Sequence, residues 1–308
     1  MDLLSEYGPY IALALLLLVC MVSSPAFRKP QNLLNITRQI SYSGMIAIGM
    51  TYVIIGGGID LSVGSMLAFS GCIGIFAMNQ VASPWGGVAV AFLATLLVGS
   101  ASGALNGLLV TAGRIPPFIV TLGTLSIFRS LSLYIANAGL VTSKNACYAQ
   151  IGGLVWLGVP LPAWTLLLFT AIGTLFLTQT RTGRHICAVG SNERVARYAA
   201  IRTNWVKFQT YVIAGALAGF SAFLLGGRLN SLSSTTAGLN YELDAIAATI
   251  IGGTAMSGGK GSVVGTLAGA LILGIVSNVL DMWGVSVNLQ GTVKGIVIII
   301  AVLIQRQK

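Results

Sequence analysis

The sequence predicts an all-α, polytopic membrane protein of about ten transmembrane segments, with broken or re-entrant helices near 56–65 and 243–261. Three observations predict it. The 308 residues are 55% hydrophobic and only 8% charged, with a mean hydropathy of +0.88, where a soluble chain carries about 25% charged residues. The apolar residues come in solid, charge-free blocks such as 11–21, 88–97, 166–176 and 296–304. With small residues added, these blocks reach the roughly 20 residues that cross about 30 Å of hydrocarbon, whereas a β-barrel alternates within segments of about 10. Glycine, at 39 residues, suits close helix packing in lipid.

The segments follow in order at roughly 8–25, 38–56, 62–79, 86–111, 117–136, 162–179, 207–228, 243–256, 262–280 and 290–305. The start, M-D-L-L-S-E-Y-G-P-Y, lacks the basic region of a signal peptide, so the first block reads as an uncleaved span. Pro116-Pro117 presets the start of the fifth segment, and Pro160 and Pro162 that of the sixth. The third and eighth are interrupted by glycine and are doubtful as full spans. No linker or soluble domain is visible, so residues 1–308 form one transmembrane domain with a cytoplasmic loop at 180–206.

The net charge of +10 falls mostly in loops, and the positive-inside bias explains it without nucleic acid. With the amino end inside, Arg114, the cluster at 181–207, Lys260, Arg306 and Lys308 face the cytoplasm and outnumber Arg28, Lys29, Lys144 and Arg228 outside. Arg28-Lys29 argues locally against this orientation, and 30–39 can instead lie along the membrane surface. Cys20, Cys72, Cys147 and Cys187 are scattered without C-x-x-C or metal spacing and read as packing residues.

At 56–65 three consecutive glycines precede Ile59-Asp60-Leu61-Ser62-Val63-Gly64-Ser65. Each glycine costs about 1 kcal/mol in a helix interior, so the helix breaks there and restarts with Asp60 or Ser62 as its cap. Asp60 is then either a pathway group inside the membrane or a capping acid at the interface. Gly58, Ser62, Val63, Leu67, Ala68, Gly74 and Ile75 recur 200 residues on as Gly258, Ser262, Val263, Leu267, Ala268, Gly274 and Ile275, with Asp60 opposite Lys260. An internal repeat and coincidence in a chain of small residues both account for this echo. The run 241–261 opens with Glu242 and Asp244, which suit a helix start, and ends it at Gly252-Gly253-Thr254. Lys260 is followed by Gly261 and no strand precedes the run, so it is no phosphate loop.

No H-E-x-x-H or G-x-S-x-G occurs, and the lone His185 sits among arginines on a predicted loop, so catalysis has no supporting set. The acids Asp2, Glu6, Asp60, Glu193, Glu242, Asp244 and Asp281 all fall near predicted span ends, which counts against ion-coupled transport. Energy then enters from outside this chain. The polar interruption at 181–207 offers a handle. Ser191 or Asn192 can cap a short helix in which Val195, Tyr198 and Ala199 share one face and Arg194 and Arg197 the other. Such a helix fits a groove on a soluble partner or rests on anionic lipid.

Three motifs, G-G-I-D-L-S-V-G-S (57–65), T-R-T-G-R-x-I-x-A-V-G-S-N (180–192) and Y-E-L-D-A-I-A-A-x-I-I-G-G-T-x-x-S-G-G-K-G-S (241–262), together resemble the ribose-type permeases of bacterial ABC importers. The order and spacing are similar too, from about residue 27 to the carboxyl end. The resemblance implies a multi-pass protein of the inner membrane, in which two permease copies or paralogues form one pathway. It implies a cytoplasmic ABC ATPase holding ATP and magnesium, with no cofactor on this chain, and an extracytoplasmic sugar-binding protein that sets specificity. It places Gly190, Ser191, Asn192, Glu193, Arg194 and Arg197 in a coupling helix that seats in the ATPase. One departure stands out: Ala199-Ala200-Ile201-Arg202-Thr203 occupies the place where relatives commonly carry a small residue, glycine and Ile-x-x. Ala200 and Arg202 there bear on the pairing with the ATPase.

The mechanism implied is ATP-driven alternating access. Thr51, Asn106, Thr121, Arg129 and Asn278 lie in or beside spans and can line the route, although hydrogen bonds between helices explain such residues equally simply. A stand-alone secondary carrier or facilitator, and a scaffold with no pathway, are the alternatives.

Overall fold

The computed structural model describes residues 3–306 and is helical almost throughout. In chain order it runs α1 (Leu3–Ser23), α2 (Pro30–Ile55), α3 (Val63–Asn79), α4 (Pro84–Thr111), α5 (Pro117–Ile135), β1 (Leu140–Thr142), α6 (Ala146–Gly153), β2 (Val155–Trp156), β3 (Val159–Pro160), α7 (Leu161–Gln179), α8 (Arg181–Ser191), α9 (Glu193–Tyr198), α10 (Thr203–Leu229), β4 (Ser231–Ser233), α11 (Tyr241–Ile251), α12 (Val263–Met282) and α13 (Val287–Arg306). Asp2 and Lys308, which entered the charge argument, lie outside the described residues, as do the side chains of Glu6 and Arg306.

Each apolar segment of the sequence becomes a helix. Proline opens α2, α4, α5 and α7, where its missing N–H is no loss. Among the described residues, α4, α5, α7, α10 and α12 are long and apolar enough to cross a membrane, and 7–23 and 63–79 are shorter apolar helices. One expectation changes and one is borne out. Residues 30–39 are not a separate segment: they are the first turns of the continuous helix α2, held to α12 by reciprocal amide hydrogen bonds between Asn32 and Asn278 (3.0 and 2.9 Å). The eighth segment is helical only from Tyr241 to Ile251, which at about 1.5 Å per residue is too short to cross alone.

The most extensive helix pairing in the bundle is the crossing of α4 and α10. Gly99 and Gly103 of α4 face Gly215 and Gly219 of α10, each pair four residues apart. A methyl group on Gly99 would strike the Gly215 carbonyl, and one on Gly103 would strike that of Tyr211. Without side chains between them the backbones approach closely, the packing that replaces the hydrophobic effect in lipid.

Both broken helices begin inside this bundle. The chain turns at Gly56–Gly58, runs inward and starts α3 at Val63; from the opposite end it leaves β4, which pairs with β1, and starts α11 at Tyr241. The two starts meet where Gly64 packs on the Gly238 carbonyl. α10 lies against α3 and α4 as α2 lies against α11 and α12, an exchange of neighbours expected of inverted halves. The sequence echo has a more local counterpart. α2 and α11 end alike, with Gly57 N–H and Gly58 N–H bonded to the carbonyls of Ile54 and Val53, and Gly253 N–H and Thr254 N–H bonded to those of Ile250 and Thr249. Asp60 and Lys260, opposite one another in the alignment, sit in different surroundings: Asp60 is buried and Lys260 exposed.

Candidate functional site

The polar stretch after α7 is an arm of two helices, where the sequence predicts a loop followed by one short helix. Thr180 caps α8 by accepting the Gly183 N–H (3.0 Å), and Gly183, Ile186 and Val189 turn inward while Arg181 and Arg184 stay exposed. His185 is therefore a half-buried helix residue. The arginines and two glycines hide the 3.6-residue apolar period of this helix in the sequence.

Of the two candidate caps for α9, Asn192 performs the role: its Oδ1 accepts the Val195 N–H at 3.1 Å. Ser191 ends α8 and packs on Gly259. Glu193 accepts from Lys207 Nζ at 2.6 Å and from an Arg197 guanidinium nitrogen at 3.0 Å. The Lys207 hydrogen bond, with the charges of Lys207 and Arg197, holds the Glu193 carboxyl below its ordinary range. Ala196 faces inward, whereas Val195 is 60% and Tyr198 90% exposed, and Arg194 is exposed beside them. The apolar face of α9 thus points away from the chain. The helix ends with Ala200 N–H bonded to Arg197 O and Ile201 N–H to Ala196 O, a motif that puts Ala200 at φ +60°. Between this arm and the α4–α5 turn lies an open cleft of about 840 Å³, lined in part by Arg114, Arg197, Arg202 and Lys207.

Behind the arm sits Asp60, fully buried. Its Oδ1 accepts from Ser62 N (2.9 Å) and Ser62 Oγ (2.6 Å). Asn106 Nδ2 donates to Ser62 Oγ at 2.8 Å and to Asp60 Oδ2 at 3.3 Å. Tyr211 O–H donates to the Ile59 carbonyl at 3.3 Å and packs against Gly58. Ser62 occupies the cap position of α3 without a side-chain capping bond, because its hydroxyl is engaged by Asp60; Ser65 Oγ in turn donates to the Ser62 carbonyl at 2.7 Å. Asp60 does stand at a helix end, but that end is interior. Of the two readings of Asp60, the buried one holds, since a broken helix brings its terminus into the bundle.

The start of α11 repeats the lesson. Glu242 is half-buried beside Gly64, and Asp244 pairs with Lys294 of α13 at 3.0 Å. Arg129 of α5 donates to the carbonyls of Ser234 and Ala237 (both 2.9 Å), clamping the strand of chain that leads into α11. At the other end of α11, Gly252 packs on the backbone of Gly265, Gly253 takes φ +89°, and the buried Thr254 hydroxyl has no hydrogen-bond partner among the described residues. Thr51 bonds Thr266 of α12 (2.7 Å), and Thr121 bonds the Pro117 carbonyl of its own helix (2.9 Å). Each residue chosen as lining the route thus has a hydrogen bond within the chain. Lys207 and Lys294 were missed. Lys294 had a signal: it is a lone cation in an apolar segment, where an unpaired charge is costly.

A family profile described as the permease component of branched-chain amino acid transport systems matches residues 32–302. The chain is 41% identical over 307 residues to the ribose import permease protein RbsC of Bacillus subtilis, covering 99% of this chain and 94% of that protein. It is 40% identical over 311 residues to the ribose import permease protein RbsC of Escherichia coli K12, covering 99% and 95%. It is also 34% identical over 302 residues to the D-allose transport system permease protein AlsC of Escherichia coli K12, covering 98% and 91%.

Proposed function

The chain belongs to the ribose-type family of ABC importer permeases, and from that premise we propose that it carries ribose across the bacterial inner membrane, powered by a separate cytoplasmic ATPase. The likeness to ribose import permeases over nearly the whole chain supports the substrate. The outward apolar face of α9, carried on the charged end of an otherwise lipid-soluble bundle, supports the energy source.

Tyr198, Val195 and Arg194 are the contact residues of the arm, and Glu193 and Lys207 brace it against α10. ATP and magnesium are held by the partner, whose closure displaces the arm. An extracytoplasmic sugar-binding protein delivers ribose at the opposite end, and a second permease copy or paralogue completes the pathway. The permease itself needs little affinity for sugar under this scheme, because binding energy spent on holding ribose would slow its release.

Proteoliposomes test the reading. With the cognate ATPase and binding protein, labelled ribose should accumulate only when ATP is supplied. Flux at the same rate from the permease alone would identify a stand-alone carrier, and no flux with any combination would leave a scaffold.

A further inference from the structure

The three motifs of the sequence, far apart in the chain, meet at one point. The Ile55 carbonyl, at the end of α2, accepts the Gly259 N–H at 2.8 Å. Gly190, in the last turn of α8, lies against both groups: a methyl group there would strike the Ile55 oxygen and come within 2.6 Å of the Gly259 nitrogen. One on Gly258 would stand 2.9 Å from the Gly190 oxygen and 3.2 Å from that of Ile55, and one on Gly259 would strike Ser191. Gly57 faces the Gly190 α-carbon. The loop carrying Gly258 and Gly259 is itself closed, with Ala255 N–H on Lys260 O and Gly258 N–H on Ala255 O, both 3.0 Å.

We infer that this contact of Gly190, Gly258 and Gly259 around the Ile55 carbonyl is a rigid joint that passes movement of the α8–α9 arm to α3 and α12. The inference rests on the coupling role proposed above. Each partner stands immediately before a helix that begins again: Gly57 leads through Asp60 into α3, and Gly259 leads through Ser262 into α12. Gly190 precedes α9 by one short turn. Apart from the Ser191 hydroxyl beside Gly259, the contacts are backbone on backbone, so rotamer changes can absorb little of a displacement. Ile55 and Gly259 are buried at the centre of the joint, and close-packed contacts of this kind transmit strain.

The joint makes Gly190 a positioning residue and removes it from the surface that meets the ATPase. The test uses the assembled complex of permease, ATPase and binding protein, and compares ribose uptake with ATP hydrolysis in the same vesicles. Gly190→Ala should cut uptake at least tenfold while hydrolysis keeps half its rate or more, because the arm still meets its partner but no longer drives the helices. Gly183→Ala is the control. Its methyl group would strike the Phe176 and Leu177 carbonyls, a wedge on the same arm away from the joint. It should lower the amount of folded complex but leave uptake per ATP unchanged. If Gly190→Ala does not accumulate in the membrane, Gly258→Ala is read the same way, its methyl group 2.9 Å from the Gly190 oxygen and its backbone strained at φ +86°. Uptake and hydrolysis falling in proportion, or an unchanged ratio in both joint variants, overturns the inference. Failure of the functional reading looks different, since the unaltered complex would then show no ATP-dependent uptake.

Discussion

Glu193 and Lys207 are joined at 2.6 Å across the gap between α9 and α10, and the same carboxylate holds Arg197 one turn along α9. The residue that sequence reasoning places on the contact surface is therefore occupied within its own chain. The short helix is too small to be stable alone, since isolated helices below about 12 residues are marginal in water. The brace holds it in place. The pair is partly exposed, at 24% for Lys207 and 36% for Glu193, and pairs near the surface contribute about 0.2–1 kcal/mol, so Glu193→Ala should change melting temperature little. Uptake should nonetheless fall severalfold, and Lys207→Ala should fall with it. The double variant should be no worse than either single one, because both remove one interaction. Additive losses would mean that the two residues act separately.

The same pair sets an expectation for pH. The Glu193 carboxyl titrates below its ordinary range because Lys207 and Arg197 favour its charged form. A depressed acid contributes stability that is complete above its unfolded value of about 4.3 and is lost as pH falls through the lower folded value. The brace is thus intact across pH 5–8. ATP hydrolysis by the assembled complex should show no inflection there that Glu193→Gln removes; such an inflection would place the titration elsewhere than the brace predicts.

Tyr198 carries the opposite prediction. It is almost fully exposed, so Tyr198→Ala should leave the melting temperature of the free permease unchanged, as surface substitutions do within about 0.5 kcal/mol. A buried aromatic anchor at an interface is worth about 2 kcal/mol or more, a loss of about 30-fold in affinity. Titration of the purified ATPase onto the variant checks this, and equal affinity would show that α9 does not carry the contact.

Ala200 sits at φ +60°, where an L-residue with a Cβ costs about 1–2 kcal/mol and glycine nothing. Glycine would return about 0.4–1 kcal/mol of this by loosening the unfolded chain. Strain relief is the larger effect, so Ala200→Gly should raise the melting temperature by about 1–3 °C. A drop would mean that the entropy glycine adds to the unfolded chain outweighs the strain it relieves.

The parts of this fold that depend on local chemistry could be read from the chain. Gly56–Gly58 and Gly252-Gly253 announce helix ends, and both helices end there with the same hydrogen bonds. The prolines at 30, 84 and 117 mark starts, although the Arg28-Lys29 pair suggested a separate segment at 30–39 where α2 is continuous. What escaped depends on tertiary partners. Nothing local says that Asp60 will meet Asn106 of α4, or that α8 will bury Ile186 and Val189 against the bundle. The joint at Gly190 escaped for the same reason: a glycine that touches two distant backbones looks, in sequence, like a helix-breaking one.

Asp244 and Lys294 show how much an interior charge depends on its partner. Their ion pair joins the half-helix α11 to α13 at 3.0 Å, with both side chains less than a quarter exposed. Desolvation makes such a pair a weak net stabiliser, but removing one member strands the other and costs about 3 kcal/mol. Lys294→Met should therefore lower the melting temperature by several degrees, and Asp244→Asn should do likewise. The double variant removes both charges, so most of the loss should be recovered. Uptake separates a structural pair from a working one. If the pair only packs α13 against α11, uptake per folded molecule returns with stability in the double variant. If α13 must part from α11 during transport, the neutral pair recovers stability while its uptake rate departs from that of the unaltered chain. Melting curves and ribose uptake on the same preparations decide between these outcomes. A double variant less stable than either single one would show that the two charges are not stabilising one another.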